Sequence, residues 1–131
     1  MAAQSERVLP DAELSQTQPI ELITENGHSI VRSWEINNEP HPTQGPYSFI
    51  VRSPAGRQDT VIVEIKTELV REIEIHTRGR VLPSSSYWAW CAERHLATHL
   101  WENDECPRDG KLRIETLTPA DLNLSIRWER T

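Results

Sequence analysis

At 131 residues the chain has the usual size of one domain, and its five Trp, within a hydrophobic content of only 37%, supply enough apolar surface for a single core. Fourteen Lys and Arg against 20 Asp and Glu leave a formal charge of -6, which excludes a global positive field drawing the protein to nucleic acid or anionic lipid. No stretch approaches the roughly 18 consecutive apolar residues of a membrane helix, so no membrane association is expected.

Residues 1 to 18 are polar, include Pro10 and show no sustained period, and are read as a disordered N-terminal tail ahead of one α+β domain over 19–131. Met1 to Pro10 has no basic region followed by an apolar run, and the only cysteines are Cys91 and Cys106. Both points suit a reducing compartment, and a cytoplasmic location is expected. Pro19 to Glu25 and His28 to Ile36 flank Asn26-Gly27, the pair that best tolerates the positive φ angles of a two-residue type I′ turn. Such a turn predicts a hairpin in which Ile23 faces Ile30 and Glu21 faces Arg32.

Asn37 to Pro46 holds three prolines and a glycine and is expected to be an exposed loop, with His41 near its centre as a candidate contact residue. Tyr47 to Arg52 and Thr60 to Lys66 read as a second hairpin with a longer turn, Val61, Val63 and Ile65 sharing one face. Glu68 to Thr77 is ambiguous: Leu69, Val70 and Ile73 fit a helical stripe, whereas Ile73 and Ile75 alternate with Glu72, Glu74 and His76. The β-branched alternation favours a strand, with a helix starting at Thr67 and ending at Gly79 as the alternative.

After Pro83, the oxygens of Ser84, Ser85 and Ser86 offer caps for one main amphipathic helix over about 85–102. Ala89, Ala92, Leu96 and Leu100 cluster on one side of it, with Arg94, Thr98 and Glu102 roughly opposite. Asn103 to Gly110 ends the helix, and Lys111 to Leu117 begins another strand. In the last segment Leu122, Leu124, Ile126 and Trp128 alternate with Asn123, Ser125 and Arg127, the period of a half-buried strand. The expected architecture is therefore a mostly antiparallel sheet of about five to seven strands with the main helix packed on it; a β-sandwich with a helical insertion is the alternative.

The residues most suggestive of chemistry are Cys91, His95 and His99 at four-residue spacing on that helix, followed by Cys106. His95 and His99 stand one turn apart, where two imidazoles can converge on a zinc ion. Residues 91 and 99 are separated by about 12 Å along a helix, too far for both to join one site easily. A metal set of His95, His99 and Cys106, or one drawing on His76, is the metal reading that follows. Leu96 stands where a zinc hydrolase would carry its general-base Glu, which argues against peptidase chemistry.

A thiol nucleophile could be built from Cys91 with His95 as base, but no orienting third group is apparent in the sequence, and Asp104, Glu105 and Asp109 oppose a thiolate at Cys106. Calcium-loop and phosphate-cradle spacings are missing. Arg71, Arg78, Arg80 and Arg94 with Trp88 and Trp90 resemble a nucleic-acid surface only until the interleaved Glu68, Glu72, Glu74 and Glu93 are counted. Trp90, Ala97 and Trp101 lie on a flank of the helix apart from its Ala/Leu stripe and could be buried by a protein partner or a second copy. With no complete catalytic set and no cofactor motif, the sequence is read as a non-catalytic interaction or accessory module using Trp90, Trp101 and His41. Zinc-type binding through His95 and His99 is the alternative.

Overall fold

In the computed structural model, residues 20–128 are described, so the tail expected over 1–18 lies outside them. The elements in chain order are β1 (Glu21–Ile23), β2 (Ser29–Arg32), α1 (Ser33–Ile36), β3 (Tyr47–Arg52), β4 (Gln58–Ile65), α2 (Thr67–His76), α3 (Ser86–Asn103), β5 (Lys111–Ile114) and α4 (Pro119–Arg127). The five strands form one mixed sheet in the order β1-β2-β3-β4-β5, giving an α+β fold at the low end of the expected strand number. Consecutive strands up to β4 pair antiparallel, whereas β5 pairs parallel to β4 after a crossover that contains α2 and α3.

The first hairpin forms, but with its register one residue away from the expected one. Leu22 faces Ile30, Ile23 faces Ser29 and Glu21 faces Val31. The reason lies in the turn: Gly27 N–H donates to the Thr24 carbonyl and Thr24 N–H to the His28 carbonyl, so the loop is longer than a two-residue turn. Gly27, at φ 94°, supplies the left-handed residue that follows a type I turn, and the added residue displaces every pair. The second hairpin repeats this construction, with Gly56 N–H donating to the Ser53 carbonyl and Ser53 N–H to that of Arg57.

The second arm of the first hairpin, expected to reach Ile36, ends at Arg32, where Ser33–Ile36 turns into α1, and two further segments read as strands are helices. Thr67–His76 buries Ile73 and half-buries Leu69 and Val70, while Ile75 is 71% exposed, so the 3.6-residue stripe outweighs the local alternation. The expected strand 122–128 is α4, which starts from a capping box: Thr118 Oγ1 accepts from Asp121 N–H at 3.0 Å and Asp121 Oδ2 from Thr118 N–H at 2.9 Å, with Pro119 at the first helical position. That start fixes the helical state. The apolar alternation that suggested a strand leaves Leu122 and Ile126 largely exposed.

The main helix α3 matches its predicted span closely, with Ser85 Oγ accepting from Tyr87 N–H at 3.1 Å as its cap. Ala89, Ala92, Leu96 and Leu100 are fully buried against Phe49, Val51, Val61 and Val63 of the sheet, the single core the composition called for. Trp34 of α1 closes one end of that core, its ring edge-on to Phe49 at 5.6 Å. Across the layer boundary, Arg32 at the end of β2 grips Glu93 of α3 through two hydrogen bonds of 3.2 Å.

Candidate functional site

Polar side chains gather at the contact between α3 and α4 and around a cleft at one end of the sheet. At the first, Cys91 and His95 stand one helical turn apart and so project from the same face of α3. Asp121, the third residue of α4, is held opposite them by its capping box. His95 Nε2 and Asp121 Oδ2 are 2.7 Å apart, and one potential ligand atom from each of Cys91, His95 and Asp121 lies within 4.8 Å of the other two. Tyr87, one turn before Cys91, donates its hydroxyl to the Asp121 carbonyl at 2.8 Å. Cys91 and Asp121 are buried, and His95 is half-buried.

The charges in this group are strongly coupled. Burial, followed by the negative field of Asp121, pushes the Cys91 thiol up to about 12, and the Tyr87 hydroxyl is raised well beyond its ordinary value for the same two reasons together with Cys91 itself. Burial also works to raise Asp121, but hydrogen bonds from the His95 ring and the Thr118 amide, with the charge of His95, outweigh it and hold the carboxyl at about 2. Asp121 is therefore an anion and Cys91 a neutral thiol across the ordinary pH range. A group so arranged is unsuited to thiolate attack, although Asp121 is the orienting third residue that sequence alone did not supply.

The structure divides the metal set read from sequence. His95 and His99 line one recess of ≈ 240 Å³ together with Arg94, Glu102, Thr118 and Asp121. Cys106 lines a separate recess with His28, Asp59 and Asp104, where burial and Asp59 raise its thiol. Thus two of the three residues share a recess, and the residues gathered with His95 are Cys91 and Asp121. The sequence signal for Asp121 was available in Thr118-Pro-Ala-Asp121, whose capping box marks a helix start and a fixed carboxylate.

The expected contact residues Trp90, Trp101 and His41 differ in exposure. Trp101 is 55% exposed on α3. Trp90 is half-buried, packed on Trp128 at 6.0 Å with the Arg94 guanidinium 4.4 Å above its ring. His41 is exposed in the 37–46 loop and edge-on to Trp34 at 5.6 Å. Trp88 is buried and so presents no stacking platform for a base.

The second place is a cleft of ≈ 530 Å³ at the carboxyl ends of the parallel pair β4 and β5. Tyr47, Ile65, Val70, Trp88 and Ile114 give it an apolar floor, the end of the 37–46 loop (Gln44 to Pro46) forms one wall, and Lys66, Thr67 and Glu68 at the start of α2 form another. No side chain caps that helix start. Glu64 and Arg113 at the rim are paired at 3.2 Å. Sequence reasoning named the loop but not α2, because 68–77 was read as a strand. The Trp88 indole N–H, buried beneath the cleft, has no partner among the described residues. Among the described residues no helix is long and apolar enough to cross a membrane.

Comparison of the chain with protein-family models, with curated proteins and with solved structures found no match.

Proposed function

We propose that the domain is a non-catalytic binding module that seats a short segment of a partner protein in the cleft between Gln44–Tyr47 and the start of α2. The observation that carries this reading is the cleft's make-up: an apolar floor of Tyr47, Ile65, Val70 and Trp88 inside a rim of charged side chains, which is the anatomy of a protein interface. Its volume falls within the range of concave ligand sites, and crevices at the carboxyl ends of parallel strands are favoured places for binding. The uncapped start of α2 and Lys66 supply donors for backbone carbonyls or a carboxylate of the incoming segment. Of the polar groups at the cleft, Glu64 on the rim is paired with Arg113, and burial raises the hydroxyl of Tyr47 in the floor to about 12.

The test is selection of binding peptides from a random display library against the purified protein, followed by mapping on isotopically labelled protein. Selected peptides should shift the Trp88 indole resonance and the amides of Thr67 to Leu69, and bind Val70→Glu at least ~10-fold more weakly, the equivalent of about 1.4 kcal/mol. Peptides that bind Val70→Glu unchanged or map to the Trp90/Trp101 flank would overturn the assignment, as would a library yielding no binder.

A further inference from the structure

The contact between α3 and α4 carries an inference independent of the cleft. From the way one atom each of Cys91, His95 and Asp121 converge within 4.8 Å, we infer that these side chains form a binding site for a zinc-class divalent cation, with the fourth position facing the recess that His99 lines. The donor set is sulfur, imidazole nitrogen and carboxylate oxygen. That mixture suits borderline-soft zinc and disfavours magnesium or calcium, which take oxygen.

The donor atoms, within 4.8 Å of one another, must shift to take a cation, since a tetrahedral site sets sulfur about 3.5 Å from nitrogen and oxygen. Zinc at about 2.0 Å from nitrogen and oxygen in a tetrahedron sets those two atoms about 3.3 Å apart, so the 2.7 Å His95–Asp121 contact opens by roughly 0.6 Å. Backbone placement brings the three side chains together, and Asp121 is held further by bonds outside the cluster. Cys91 and His95 ride on one buried face of α3, and Asp121 is clamped by both halves of its capping box and by the Tyr87 hydroxyl on its carbonyl. Such outer contacts are what orient ligands in metal sites. The half-buried His95 and the recess beyond it provide the entry path. When the cation binds, the Cys91 thiol proton leaves to solvent and the proton on His95 Nε2 that faces Asp121 Oδ2 moves to solvent or to Nδ1, so that sulfur is an anionic ligand and Nε2 a neutral one; no electrons are exchanged.

This set differs from the one that spacing alone suggested, in that Cys91 replaces Cys106 and Asp121 replaces His99. The two alternatives are separable with cobalt(II) as the probe. Full-length protein stripped with chelator and titrated with cobalt should show a sulfur-to-cobalt charge-transfer band in the near ultraviolet and intense visible bands of tetrahedral cobalt, saturating at one ion per chain. Cys106→Ser should keep the charge-transfer band and Cys91→Ser should lose it. Asp121→Asn, whose fold is checked by circular dichroism, should bind at least ~100-fold more weakly; this control stands even if Cys91→Ser does not fold. Absence of the band in the unmodified protein, its loss in Cys106→Ser with retention in Cys91→Ser, or unchanged affinity in Asp121→Asn would each overturn the site.

Discussion

Replacing Glu93 with Ala tests how the helical layer is fastened to the sheet. Glu93 is 6% exposed on α3 and receives both Arg32 Nε and Nη2 at 3.2 Å, a forked pair across the layer boundary. Removing one partner of a buried pair costs about 3–5 kcal/mol, because the remaining charge loses its solvent substitute as well as its bond. Arg32 has a second acid nearby, Glu35 at 3.8 Å, so the lower end, about 3 kcal/mol, is expected for Glu93→Ala. The pair itself contributes much less, because most of that loss is the penalty of stranding Arg32. Replacing both residues, Arg32→Met with Glu93→Leu, should therefore return stability to within about 1 kcal/mol of the starting protein. Urea unfolding of Glu93→Ala and of the four species of the cycle, namely the starting protein, Arg32→Met, Glu93→Leu and the double variant, measures all of these terms. A loss below about 1 kcal/mol for Glu93→Ala, or a double variant as unstable as the sum of the singles, would refute the view that charge burial dominates here.

Two further outcomes follow from the α3–α4 contact and the thiols. Asp121 sits at about 2 in the folded protein against an ordinary 3.8, so it contributes stability that is fully present above pH 3.8 and lost as pH falls toward 2. At 1.36 kcal/mol per pKa step this is about 2–3 kcal/mol, and metal-free Asp121→Asn should lack that part of the acid-induced loss in denaturation curves between pH 5 and pH 2; parallel curves would disprove it. Cys91 is fully buried with its thiol raised to about 12, whereas Cys106 is only half-buried. A thiol reagent should therefore modify Cys106 slowly in native protein and Cys91 only after unfolding. Rapid modification of Cys91 in native Cys106→Ser would show that α3 is open to solvent there.

Sequence patterns were most informative where one requirement governed a segment. The Ala89/Ala92/Leu96/Leu100 stripe identified the buried face of α3 because a long helix averages over many turns, and Tyr47–Arg52 was legible because strong β-formers were bounded by turn residues. Prediction went astray where alternation and helical periodicity overlapped, at 68–77 and 122–128. In α4 the decisive information lay before the periodic segment, in Thr118 and Pro119. The hairpin register depended on a single left-handed Gly27, a conformation that Asn26-Gly27 permits in more than one turn length. Of the chemical residues, His95 is visible in the spacing, whereas Cys91 lies about 12 Å along the helix from residue 99, too far to share a metal with it. The partner of Cys91, Asp121, arrives from a different element, a juxtaposition no local spacing encodes.

The parallel placement of β5 beside β4 also orders events during synthesis. Residues 66 to 110, including α2 and α3, emerge between the two strands, so β4 leaves the ribosome with an unpaired edge that cannot be satisfied until β5 appears. A fragment ending before Lys111 would expose that row of Val- and Ile-rich backbone together with the underside of α3, conditions that favour strand-to-strand association between molecules. By pairing with that edge, β5 covers backbone that would otherwise favour self-association, so truncation before Lys111 is expected to promote aggregation.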